Sequence, residues 1–208
     1  MFFRTLPASA QRVFTKLGRG KALDPFYLAG GSAAALHLGH RVSVDLDFFT
    51  PELYEPAALT PHLEKTGKVM VEQQTKGTFL GLIGQTKVSF FYYSYPLLEP
   101  AALYRGVRVA SLLDIGLMKI VAISHRGRLR DFVDLHFICQ AGYPLPDLLK
   151  RIPQKYATLT YPSYHILRAL AYFDDAEKDP PLNMLVAYDW RRVKQFFEQQ
   201  VRELARSL

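Results

Sequence analysis

Two adjacent glycines, Gly30 and Gly31, stand between an apolar run (Phe26 to Ala29) and a run of small residues (Ser32 to Ala35). Backbone without side chains at that point lets a strand turn sharply into a helix. Ser32 is placed as that helix's N-cap, and Gly39 stands where the helix would end. A second strand, predicted over 42–49, carries Asp45 and Asp47 two residues apart and so on one face. Strand, glycine turn, helix and acidic strand together commit this region to a layered sheet-and-helix fold.

The remaining pattern extends that reading. Segments 69–75, 79–83 and 87–93 read as successive strands joined by turns at Lys76-Gly77 and Gly84-Gln85. Their short connections imply antiparallel pairing. An N-terminal helix is expected to end at Gly18–Gly20, and a further helix between Pro56 and Lys65. Beyond residue 110 the chain reads as helical. Ser111-Leu112-Leu113-Asp114 has the form of a capping box, opening a helix to about Ser124. Further helices are predicted over 131–141, 146–156, 163–173 and 189–208. The expected fold is α+β, a mixed sheet with flanking helices followed by a helical C-terminal part.

The chain has 208 residues, of which 49% are hydrophobic and 13% aromatic, enough to build a core. This composition excludes a disordered chain, and no apolar run approaches the ~20 residues of a membrane span. The formal net charge is +7. It is unevenly spread: residues 40–66 are net −3, whereas 1–20 and 101–155 are net +4 and +5. An acidic island holding Asp45 and Asp47 between basic segments suits a metal site among phosphate-binding surfaces. A single cysteine, Cys139, rules out an intrachain disulfide. It lies in a mostly apolar helix and reads as a buried, inert thiol in a cytoplasmic protein.

The candidate chemistry sits at a few positions. Asp45 and Asp47 offer oxygen ligands for Mg²⁺, with water and substrate phosphates completing its shell. The alternative is an acidic strand facing solvent. Gly30, Gly31 and Ser32 would present a helix N-terminus to a phosphate, or simply form a tight turn. Lys119, in the apolar helix Ile115 to Ile123, either snorkels outward or points into a cleft to meet an anion. Asp131 and Asp134 share one helix face. Arg126, Arg128 and Arg130 crowd the preceding turn, to bind phosphate or to be solvated. His37 and His40 lack a third ligand at metal-binding spacing.

Taken in order, Gly30-Gly31-Ser32, Asp45-x-Asp47-Phe48-Phe49, Asp114 with Lys119, and Arg130-Asp131-Phe132-Val133-Asp134-Leu135 resemble the AbiEii/AbiGii toxin-like nucleotidyltransferases of the polymerase-β-type superfamily. The resemblance runs from about Phe26 to Ile138. It implies a nucleotidyltransferase-like core over 1–110 and a helical part over 111–208 completing the cleft. It also implies Mg²⁺-dependent (or Mn²⁺-dependent) transfer of a nucleoside monophosphate from an NTP to an acceptor, RNA such as tRNA, and a cognate antitoxin as partner. Carried over by residue, Gly30, Gly31 and Ser32 would contact the triphosphate together with Lys119 and Arg130. Asp45 and Asp47 would bind the metal, and Asp131 would be the base, supported by Asp134. The superfamily's third strand carboxylate has no counterpart in Lys87 to Tyr93, where Ser89 is the expected occupant. A catalytically diverged nucleotide- or RNA-binding protein on the same fold is therefore the alternative.

Overall fold

The computed structural model describes residues 1–20, 23–157 and 163–206. Seven strands form one mixed sheet in the order β3-β4-β5-β2-β1-β7-β6. Its centre is β1 (Tyr27–Ala29), β2 (Leu46–Thr50) and β5 (Thr86–Tyr92). β2 runs antiparallel to β1 and parallel to β5. The predicted antiparallel meander is present as β3 (Val69–Thr75), β4 (Thr78–Ile83) and β5.

Period-2 alternation divides the sheet into two faces. Leu46, Phe48, Val88 and Phe90 point to the closed face and have no exposed surface. There Phe48 and Phe90 stack at 4.8 Å, and Phe26 and Phe79 meet Phe90 edge-on. Asp47, Phe49, Ser89 and Phe91 belong to the opposite, only partly covered face.

The helices follow the apolar periodicity. α1 (Ala8–Leu17) buries Ala10, Val13, Phe14 and Leu17, a stripe at helical spacing. α2 (Gly30–Leu38) ends as expected at Gly39, which is left-handed at φ 70°. α3 spans Pro56–Glu64. α4 (Leu112–Arg126) is capped by Ser111, whose hydroxyl accepts from the Asp114 N–H at 3.0 Å. Asp114 itself is buried, pairs with Lys155 at 2.7 Å and accepts the N–H groups of Leu98 and Glu99. α5 (Leu129–Gln140), α6 (Leu145–Lys155), α7 (Ser163–Leu170) and α8 (Trp190–Ala205) complete the chain. α4 packs against α2, α5, α6 and α7, and one apolar core joins it to the sheet.

The N-terminal helix ends at Leu17 with Gly18 as its C-cap, as expected. Three expectations are corrected. The acidic strand begins at Leu46, so Asp45 precedes it, and Val44 is exposed. α2 begins at Gly30 with Ala29 as N-cap, so Ser32 lies inside the helix and is not its cap. Two short strands were not predicted: β6 (Ala102–Tyr104) and β7 (Val107–Val109). Their turn holds Arg105 at φ 49° and Gly106 at φ 82°, the paired left-handed geometry of a tight hairpin. Three-residue strands carry too little alternation to register in a sequence.

Candidate active site

Between the partly covered sheet face and α4 lies a cleft of about 600 Å³, within the usual range for small-molecule sites. Its lining includes Gly30, Gly31, Asp45, Asp47, Lys119, Arg130 and Asp131. These residues come from the start of α2, the start of β2, the middle of α4 and the start of α5. Asp114, Ser32 and Asp134 are buried outside the lining.

The glycine pair is required by close approach. Gly30 has φ +65°, and a Cβ there would stand 3.3 Å from Asp47 Oδ2. At Gly31 a Cβ would stand 2.5 Å from the Arg41 guanidinium and 3.2 Å from Ser43 Oγ. The bare turn thus lets a carboxylate and a guanidinium reach the N-terminus of α2. The Ser32 hydroxyl donates to the backbone carbonyl of Asp45 and ties α2 to the acidic segment.

Asp47 and Ser89 are register partners on the parallel strands β2 and β5. The strand expected to carry a third carboxylate therefore lies beside Asp47, and serine occupies the position. Burial raises the Asp47 carboxyl above its usual range. The Ser89 hydroxyl opposes that, Asp45 adds to it, and Arg130 and Lys119 oppose it in turn. Two close carboxylates, one of them desolvated, form an oxygen-only donor set that fits a Mg²⁺ ion retaining waters and phosphate oxygens. Among the described residues no group of three His, Cys, Asp or Glu side chains is arranged to hold a metal.

Lys119 points inward. Its ammonium, almost fully buried, contacts Asp131 Oδ1 at 2.7 Å and Asp134 Oδ2 at 2.6 Å. An ammonium has three donors, so one remains for the cleft. Asp131 Oδ2 accepts no hydrogen bond and stands 3.7 Å from Arg126 Nε. Asp134 is the anchor beneath. It accepts from Arg41 Nε at 2.6 Å, Arg41 Nη2 at 2.8 Å and His40 Nε2 at 2.8 Å. Burial alone would raise the Asp134 carboxyl; Arg41 and Lys119 reverse that and hold it well below the usual range.

Of the three arginines expected to crowd the α4–α5 turn only Arg128 lies in it; Arg126 closes α4, Arg130 is in the first turn of α5, and both line the cleft. Arg128 is tied to Asp179 at 2.5 Å. His37 meets the Ala110 carbonyl. The sequence reading missed Arg41, which alone fixes Asp134 with two donors, and the cleft-facing Phe49, Phe91, Tyr93 and Met118. An arginine after a helix-ending glycine has no apolar periodicity to mark it as buried.

A mixed sheet, a glycine turn opening a helix beside two carboxylates and a lysine-aspartate pair from later helices build one cleft, and the family that matches the chain gives the class: a nucleotidyltransferase. The family described as nucleotidyl transferase AbiEii toxin, type IV TA system, matches residues 93–206. An uncharacterized protein of Aquifex aeolicus, aq_aa25, is 38% identical over 185 residues, covering 86% of this chain and 88% of its own. The fold is similar to MenT4, a nucleotidyltransferase toxin of Mycobacterium tuberculosis (TM-score 0.55, 16% identity, 92% of this chain and 84% of that one). It is also similar to JHP933 of Helicobacter pylori (TM-score 0.53, 16% identity, 97% of both chains). The chain belongs to the AbiEii nucleotidyltransferase toxin family. No helix among the described residues is long and apolar enough to cross a membrane.

Proposed function

We propose that this cleft transfers a nucleoside monophosphate from an NTP to a hydroxyl of an RNA acceptor, tRNA being the foremost candidate. The observation that carries the reading is convergence. Gly30, Asp45, Asp47, Lys119, Arg130 and Asp131, from four separate elements, line one cavity. In this reading the N–H groups at the start of α2 and the side chains of Lys119 and Arg130 receive the phosphates. Asp45 and Asp47 hold Mg²⁺ or Mn²⁺, which would neutralise charge on the phosphates when bound. Asp131, through its unpartnered Oδ2, accepts the proton of the attacking hydroxyl. The acceptor's hydroxyl oxygen forms a bond to the α-phosphorus, the bond from the α-phosphorus to the α–β bridging oxygen breaks, and pyrophosphate leaves. A cognate antitoxin and action in the cytoplasm follow from the same family reading.

The test incubates the full chain with each labelled NTP, Mg²⁺ or Mn²⁺, and total RNA. Label should enter RNA, and Asp47→Ala and Asp45→Ala should each abolish incorporation. Undiminished incorporation in both variants would refute the assignment. One observation favours a second reading. Ser89 stands in register with Asp47, where the superfamily's third carboxylate is expected. Saturable NTP binding without turnover, for all four NTPs and a tRNA pool, would select a diverged binding protein.

A further inference from the structure

The cleft changes chemistry along its length. Residues 47, 89 and 119 mark the polar part, followed by Phe49 on β2, Phe91 on β5 and Tyr93 just beyond the end of β5. Met118, Val121 and Ala122 of α4 face the same cavity. Phe49 lies 5.5 Å from the rings of both Phe91 and Tyr93, so the three rings form one continuous aromatic surface. On the closed face of the same strands, Phe48 and Phe90 have no exposed area, whereas Phe49, Phe91 and Tyr93 keep part of theirs. An apolar surface left open inside a charged cleft marks a ligand.

We propose that this slot, between the Phe49–Phe91–Tyr93 surface and Met118 of α4, stacks the nucleobase of the NTP. The inference rests on the nucleotidyltransferase reading of the same cleft and adds the direction in which the nucleotide lies. Two residues along a strand span about 7 Å, the scale of the ribose between a phosphate held beside Asp47 and a base resting on Phe49. Lys87 lies on β5 on the far side of Ser89 from Phe91, and Arg126 and Arg130 line the same cleft; these cations suit the terminal phosphates and not a base. Aromatic faces accept any base by stacking. The Tyr93 hydroxyl is already engaged with that of Tyr156 at 2.7 Å, which leaves its ring as the contact surface.

The test measures binding of each NTP and of inorganic tripolyphosphate, with Mg²⁺, to the full-length protein by calorimetry. Phe91→Leu keeps an apolar side chain and removes the ring. It should weaken NTP binding about tenfold while leaving tripolyphosphate within twofold of wild type. Phe91→Tyr should restore affinity, and Arg130→Gln should weaken both ligands. NTP affinity unchanged in both Phe91→Leu and Phe49→Leu would overturn the slot. So would a transfer defect in Phe91→Leu that persists at saturating NTP and is relieved by raising total RNA, because that assigns the rings to the acceptor's base. A wild type that binds tripolyphosphate and NTP equally removes the slot alone. A wild type that binds neither removes the nucleotidyltransferase reading.

Discussion

Asp134→Asn tests the electrostatic anchor of the cleft without touching its lining. Asp134 has no exposed surface and receives two donors from Arg41, one from His40 and one from Lys119. Asparagine keeps the shape but removes the charge, and it presents an NH₂ group to donors. Two buried cations, Arg41 and Lys119, are then left with Asp131, and Arg41 also with Asp45, as near carboxylates. Removing one partner from a buried charge network costs about 3–5 kcal/mol. For a chain of this size that corresponds to a fall in Tm of roughly 6–20 °C, measured by circular dichroism at pH 7. The pH dependence supplies an independent check. The folded carboxyl lies well below its unfolded value of about 3.9. The stabilisation is therefore complete above that value and is lost as pH falls through the window beneath it. The gap between wild type and variant in urea unfolding should be full at pH 6–7 and should narrow below about pH 4. A Tm loss under about 2 °C, or a gap that stays constant down to pH 3, would refute the argument.

Gly30→Ala forces a left-handed alanine, at about 1–2 kcal/mol, and sets a methyl 3.3 Å from Asp47 Oδ2. Gly84→Ala imposes similar backbone strain (φ +62°) where no atom lies within 4 Å. Both variants should lose comparable stability in thermal melts, and only Gly30→Ala should also lose NTP incorporation. Equal activity in the two would detach Gly30 from the site. Burial pushes the Cys139 thiol up to about 12, so at pH 8 its alkylation in the folded protein should be slower than in urea by roughly a thousandfold. Iodoacetamide labelling at similar rates in both states would refute the inertness of this thiol.

How much of this was legible depended on how local the signal was. The glycine turn, the Gly39 stop, the meander and the Ser111 cap are written in residues within four positions of one another, and a sequence displays them. β7 lies next to β1 through the pairing of Leu28 with Val109, a contact 81 positions long that three-residue strands do not advertise. Ser32 suits an N-cap by composition, but its oxygen found a tertiary partner at Asp45 and the helix began three residues earlier, with Ala29 as its cap. Lys119 was legible as an anomaly in an apolar helix. Its inward direction depended on Asp131 and Asp134 arriving from α5. Arg41 had no local signature because its partner, Asp134, is 93 positions away.

The charges of the cleft explain why the site suits one kind of ligand. Arg41 and Lys119 are committed to Asp134 and Asp131 and so form a nearly neutral base to the cavity. Above that base neither Asp45 nor Asp47 forms an ion pair with a described residue, and burial works against the charge on Asp47. Arg130, likewise without an ion pair among the described residues, and Arg126, whose nearest carboxylate oxygen is 3.7 Å away, face the same space. These two arginines call for an anion and the two aspartates for a cation. Direct pairing between them would quench both needs, and the fold instead places them on separate elements, the aspartates at the start of β2 and the arginines at the end of α4 and the start of α5. A divalent cation chelated by a triphosphate supplies both charges in one ligand, whereas free phosphate or a free metal satisfies one pair and leaves the other uncompensated. On this reading, affinity for metal and for nucleotide must be coupled. Mg²⁺ should tighten NTP binding in the wild type, and that gain should vanish in Asp45→Asn/Asp47→Asn while the binding of metal-free NTP is preserved or improved.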